Sequence, residues 1–330
     1  MMHGVISSRR GRVVRRGLAS DQVGLVVAIL VLCLFYSFRA PYFLDSGNFS
    51  NIGVAISYGG IMAAGFALVM ICGGIDLSIS GVASLTGQAL AFALTHGWST
   101  FFAIGFALLI GGACGILNAF LMVGIGLNAI IGTIATQFLF RGLAYAWGGG
   151  GATSTSIANA LVSNLANGKW GGVPVPAYLM LSVFLIIGVT YRFTRFGAHI
   201  AAVGGNRVAA RRAGIRVGFT TSSTYVICAL CAAVSGILLV GLDGGSVPDS
   251  ALGIEFTVLA ALVIGGTSLG GGVGSILGAL LGIVGLGILV NGLNLIGVSS
   301  YLKSASIGVA LLLAVSIDSL RHRRRVQRDE

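Results

Sequence analysis

Charge is scarce in this chain. Only 9% of its 330 residues are Asp, Glu, Lys or Arg, against about 25% in a soluble domain. So little charge cannot make a water-facing surface, so lipid must cover most of the protein. Acid is the scarcer sign: 9 acidic residues against 20 basic ones leave a net charge of +11. No GxxxxGK(S/T) phosphate loop occurs, which excludes ATP binding in its usual form. No HExxH, no clustering of Ser, His and Asp and no paired carboxylates occur, and His3, His96, His199 and His322 are scattered. That excludes the common zinc and hydrolytic sites and leaves no metal-ligand set. Charges inside the apolar runs are too few for a proton relay or a voltage sensor. Cys33, Cys72, Cys114, Cys228 and Cys231 all lie in apolar runs. Only Cys228 and Cys231 are spaced as CxxC and no second pair exists, so they are read as small packing residues.

What is abundant is apolar. Hydrophobic residues make up 56% of the chain, and the mean hydropathy is +0.97. The 53 glycines suit a bundle in which small residues let helix backbones approach closely. The basic residues fall mainly in three blocks, 9–16, 192–216 and 321–328, each beside an apolar run. That distribution is the positive-inside pattern, which also favours anionic lipid headgroups; it argues against nucleic acid as a partner.

A membrane-crossing helix needs about 20 apolar residues. The sequence predicts ten such segments: 22–38, 51–72, 77–94, 100–122, 127–147, 173–191, 219–242, 255–269, 273–296 and 301–317. The fold class is therefore an all-α polytopic transmembrane bundle. Residues 1–21 and 319–330 form basic cytoplasmic tails around a permeation domain at 22–318. No small-residue cleavage site follows the first apolar run, so it is read as an uncleaved span. An even number of spans puts all three basic blocks on the cytoplasmic side. The polar loop 148–172 then lies outside and the arginine-rich loop 192–218 inside. The third, eighth and tenth segments are short or glycine-interrupted, so each is a candidate for a broken or re-entrant helix.

Two stretches are alike. Gly73-Gly74-Ile75-Asp76-Leu77 leads into Gly81, Ser84 and Gly87, and Gly265-Gly266-Thr267-Ser268-Leu269 leads into Gly272, Ser275 and Gly278. They are either a coincidence in a glycine-rich chain or an internal duplication. Paired glycine-interrupted segments point to a transporter pathway. Gly270, Gly274, Gly278 and Gly282 recur at four-residue spacing, predicting a packing groove on the ninth helix. That groove serves either packing within the chain or a subunit interface.

Asp76 stands well away from any charged flank, where an acid costs about 2.5–3.5 kcal/mol on insertion scales. It is read as a helix cap, as a pathway residue, or as both. Glu255 is read as a first-turn acid suited to its helix dipole. Gln88, Asn118, Thr133, Gln137, Asn291 and Asn294 recur inside the spans, and Asn128 opens the fifth. They either join helices or line a wet path, and neutral donors and acceptors of this kind are compatible with a polyhydroxylated solute.

The chain resembles the inner-membrane permeases of bacterial ABC importers of the ribose, xylose, arabinose and galactose type. The resemblance rests on Gly73-Gly74-Ile75-Asp76-Leu77-Ser78, Arg141-Gly142, Thr194-Arg195-Phe196-Gly197, Gly205-Asn206, Ala209-Ala210-Arg211 and Gly214-Ile215. It continues through residues 264–269 and Asn291-Gly292-Leu293-Asn294, and so covers about 51–318. It departs near Thr257 and at Arg207 and Val208, where members often carry acid. The resemblance implies a transport subunit that is not an enzyme and holds no cofactor, with ATP and Mg on separate ATPase subunits. It assigns Gly205, Asn206, Ala209, Ala210, Arg211, Gly214 and Ile215 to coupling with the ATPase. It also implies a periplasmic sugar-binding protein, a second or related permease, and residence in the bacterial inner membrane. Branched-chain amino acids or nucleosides are the alternative cargo, and a stand-alone secondary transporter the alternative class.

Overall fold

The computed structural model describes residues 22–148 and 155–326. The tail 1–21, residues 149–154 of the outer loop and residues 327–330 lie outside the described residues. The helices are α1 (Gln22–Arg39), α2 (Ser46–Ile71), α3 (Ile79–Thr95), α4 (Thr100–Ala119), α5 (Ala129–Trp147), α6 (Ala160–Asn167) and α7 (Val175–Phe193). After them come α8 (Arg195–Gly205), α9 (Arg207–Arg212), α10 (Val217–Asp243), α11 (Ile254–Ile264), α12 (Ile276–Leu295) and α13 (Ser300–Val326). A π-helical turn, Phe120–Ile125, extends α4. Seven of the helices are long and apolar enough to cross a membrane, and three shorter apolar ones cover 79–95, 254–264 and 300–316. The short ones are the third, eighth and tenth predicted segments. α13 continues beyond the predicted end of its span.

Two helices form the axis of the bundle. α2 and α10 are apolar all round and mostly buried, as expected of helices enclosed by others. α10 packs on α2, α3 and α4; α2 also meets α7, α11 and α12. Glycine brings these backbones together. A Cβ on Gly65 would stand 2.9 Å from the Cα of Cys228, and one on Gly115 would stand 2.7 Å from the Cα of Val226.

α11 is a half-helix. Its 11 residues span about 16 Å, roughly half the hydrocarbon thickness. The chain ahead of it supplies the missing depth. β4 (Gly245–Ser246) pairs antiparallel with β1 (Thr155–Ser156) at the end away from the arginine loop. The following residues then dip inward, until Pro248 offers its carbonyl to the buried Ser84 hydroxyl at 2.6 Å. α11 therefore begins inside the bundle. The same end carries a small hairpin, β2 (Lys169–Trp170) with β3 (Val173–Pro174), and helix α6, neither of which was predicted in the polar loop.

The predicted glycine groove is corrected. Gly270 and Gly274 lie in the loop before α12, because Gly271 and Gly272 adopt φ of 80° and 73° and stop any helix there. Gly278 and Gly282 are in α12, where they lie against the backbone of Gly265 and Ala261. Both contacts are within the chain, between α12 and α11 or the loop that follows it.

Candidate functional site: a buried polar column and a glycine junction

The column is built where α3 starts. Asp76 does not occupy the cap position; Ser78 does. Instead the Asp76 carboxylate Oδ1 accepts from the Ser78 N–H at 3.0 Å and from the Ser78 hydroxyl at 2.6 Å. This Asx turn steers the chain from the Gly73-Gly74 loop into α3. Asn118 on α4 donates its amide to the Ser78 Oγ at 2.7 Å. Thr133 on α5 accepts from the Leu77 N–H at 3.1 Å.

One turn further on, Ser80 Oγ accepts from Gln137 Nε2 and Arg141 Nη2, both at 3.1 Å. Gln137 also donates to Glu255 Oε1 at 2.7 Å. Asp76, Asn118 and Thr133 are fully buried, and Glu255 and Arg141 are 1% and 8% exposed. Four atoms along this column have no hydrogen-bond partner among the described residues: Asp76 Oδ2, Asn118 Oδ1, Glu255 Oε2 and Arg141 Nε. A buried polar atom left unmatched costs about 1–3 kcal/mol, so the column carries spare hydrogen-bonding capacity in the middle of an apolar bundle.

Four of the pathway candidates, Asp76, Asn118, Thr133 and Gln137, thus meet in one place. The other three do not. The Gln88 amide packs at Gly148. Asn291 exchanges amide hydrogen bonds with Asn48 at 3.1 and 2.8 Å, and Asn294 accepts from Lys303. Sequence reasoning missed Arg141 and Glu255 as members of the column. A lone arginine within an apolar span is a signal that could have found the first. Glu255 stayed hidden because nothing in the sequence reveals how deep α11 begins, and it is a second buried acid beside Asp76.

At the other end of the α3 loop, three segments meet through main chain alone. Gly272 N donates to Ile71 O at 2.8 Å. A Cβ on Gly271 would fall 2.6 Å from the Cα of Gly73. Gly204, near the end of α8, sits directly on Ile71 O, and a Cβ there would fall 2.6 Å from Gly272 N. The two glycine motifs and the arginine loop are therefore one junction. Gly204 was not singled out in the sequence.

α9 hangs from this junction. Asn206 Oδ1 accepts from the Ala209 N–H at 2.9 Å, capping it at the start. Gly214, with φ of 82°, closes its end: Gly214 N donates to Arg211 O at 3.0 Å and Ile215 N to Ala210 O at 3.1 Å. Of the seven coupling candidates, Ala210 is buried and Ile215 half-buried, while Gly205, Asn206, Ala209, Arg211 and Gly214 are exposed. Val208, not among them, presents the largest apolar side chain, 61% exposed.

The sequence profile of the family described as branched-chain amino acid transport system, permease component, matches residues 48–315. The chain belongs to this permease family. It is 37% identical to the ribose import permease of Escherichia coli K12 over 89% of this chain and 92% of that protein. It is 33% identical to the L-arabinose transport system permease of the same organism, over 93% of each chain. It is also 33% identical to the ribose import permease of Bacillus subtilis 168, over 90% and 92%. No solved structure matches. The permease is thus a multi-pass subunit of a transport system, and a stand-alone secondary transporter is not favoured.

Proposed function

We propose that the permease is the transmembrane subunit of an ATP-driven importer that passes a monosaccharide across the bacterial inner membrane. Relatives named for ribose and arabinose import support a sugar as cargo. In this reading both termini and the arginine-rich end face the cytoplasm, in keeping with the positive-inside rule. A separate ATPase holds ATP and Mg and grips α9. A periplasmic binding protein delivers sugar at the end that carries β1 and β4, and a second or related permease completes the pore.

The observation that carries the reading is α9 itself: a short capped helix, exposed on one side and joined by bare backbone to both glycine motifs. Force applied to it reaches the loop that starts α3 and the polar column. The unmatched polar atoms of that column suit a solute rich in hydroxyls.

The test replaces residues 205–214 by a Gly/Ser linker in a membrane preparation that also expresses the ATPase. Loss of ATPase co-purification together with loss of sugar uptake is expected. Retention of both would overturn the role of α9. Uptake of the sugar by the purified permease in liposomes without ATP would overturn the ATP-driven reading.

A further inference from the structure

Behind α9 lies a cavity of about 560 Å³. Its walls come from the Gly73–Ile75 loop, the elbow between α4 and α5, and the first turns of α10. Arg207 and Arg211 reach it from α9; Asn128, Thr221 and Tyr225 add neutral polar groups, and no Asp or Glu lines it. Residues four apart share a helix face, so the two guanidinium groups stand side by side. They flank the buried Ala210, while Val208, Ala209 and Arg212 are exposed and do not line the cavity. The helix therefore has two jobs for its two sides. Its outer side is free to meet a partner protein, and its inner side holds two cations over a hollow.

Among the described residues neither cation is neutralised: no carboxylate pairs with Arg207 or Arg211, and the one hydrogen bond of Arg207 is a long one, 3.5 Å, to the Gly73 carbonyl. Two adjacent cations repel each other, and guanidinium groups match the oxygens of a phosphate bidentately. α5 begins at the same cavity, so the positive end of its dipole adds to the field. The volume is within the range of small-ligand sites.

We propose that this cavity binds a phosphate group, carried by a small phosphate ester or by a lipid, with Arg207 and Arg211 as its clamp and the Asn128 amide Nδ2 and Thr221 hydroxyl as neutral donors to its remaining oxygens. Where the importer reading above holds, an occupant tied to both α9 and the α4–α5 elbow pins the coupling segment and slows transport. A phosphorylated form of the imported sugar would then act as a brake from the product side.

The test needs no transport. The full-length permease is placed in phosphatidylcholine nanodiscs, and inorganic phosphate or a pentose 5-phosphate is titrated by calorimetry. Saturable binding, one per chain, is expected, weakened at least tenfold by the double substitution Arg207→Gln and Arg211→Gln. Arg195→Gln, outside the cavity, should leave it unchanged. All variants are compared at equal unfolding temperature. In phosphatidylglycerol nanodiscs the sources separate. If soluble phosphate still binds, the occupant is a small ester. If soluble binding vanishes and native mass spectrometry finds one phosphatidylglycerol retained by the unsubstituted chain only, the occupant is a lipid. Absence of both signals, or equal binding in the double variant, overturns the site.

Discussion

The loops after α2 and after α11 begin alike, with two glycines and a leucine three residues later, and then diverge. In the first, the Asp76 carboxylate catches Ser78 at once and α3 starts at Ile79. Thr133 and Asn118 reach across to hold it. In the second, the shorter Ser268 hydroxyl accepts from Gly270 N at 3.3 Å. The chain then makes a further turn through Gly271 and Gly272 before α12 starts at Ile276. One loop is fastened by side chains to the interior. The other is fastened by main chain to Ile71 and Gly204. The residues between glycines and leucine, Ile75-Asp76 in one and Thr267-Ser268 in the other, decide which use the motif is put to. The first loop shapes the polar column; the second receives the arginine loop.

This contrast breaks most visibly at Gly204. Gly204→Val sets a branched side chain against the main chain of Ile71 and Gly272, where overpacking costs about 1–3 kcal/mol or more. Uptake should fall by about tenfold or more, a loss of roughly 1.4 kcal/mol or greater. Gly105→Ala on α4, with open space around it, should transport normally; equal damage from both would mean that the contact is irrelevant. Next comes the side-chain side of the contrast. Gln137→Leu removes the donor to both Glu255 and Ser80, and should cost about 2–3 kcal/mol, typical for a hydrogen bond to a charged group. A lower unfolding temperature in detergent would register it. Asp76→Ala and Ser268→Ala test the two loops at matching positions. The first should cost about 1–2 kcal/mol, because the buried Ser78 N–H and hydroxyl lose their acceptor, and the second under about 0.5 kcal/mol. Equal costs in thermal unfolding would erase the distinction between the loops. The smallest effect belongs to the end away from the arginine loop. A double-mutant cycle on Asn48→Ala and Asn291→Ala should give a coupling near 0.6 kcal/mol, the average for interhelical hydrogen bonds in membranes.

The ten apolar helices were legible because length and hydropathy report directly on bilayer crossing. The three segments suspected of being broken are the three short ones, and α11 is shown to start inside the bundle. Its depth was not legible. The dip of residues 247–253 depends on Ser84 meeting the Pro248 carbonyl, a contact 164 positions apart in the chain. For the same reason Glu255 read only as a first-turn acid suited to its helix dipole, although Gln137 holds it in the core. The glycine repeat at 270–282 misled because spacing alone cannot tell a helical glycine from one at positive φ. At the site, Asp76, Asn118, Thr133 and Gln137 stood out as polar residues in apolar runs. Gly204 carried no such mark, since a glycine's value lies in what it touches. α6 was hidden by the polarity of its loop, although Asn159 caps it by accepting from Val162 N at 3.1 Å.

The meeting of Gly73, Gly204, Gly271 and Gly272 has a mechanical consequence. Side chains behave as cushions: they rotate, tilt and absorb small displacements before passing them on. Bare peptide units in contact have almost no such give, because interiors packed to crystal-like density are hardly compressible. A shift of a few tenths of an ångström in α8 therefore arrives at the start of α3 almost undiminished, and it arrives as translation, with no lag for rotamers to adjust. In the importer proposed above, the permease is stiff at the spot where the ATPase would push.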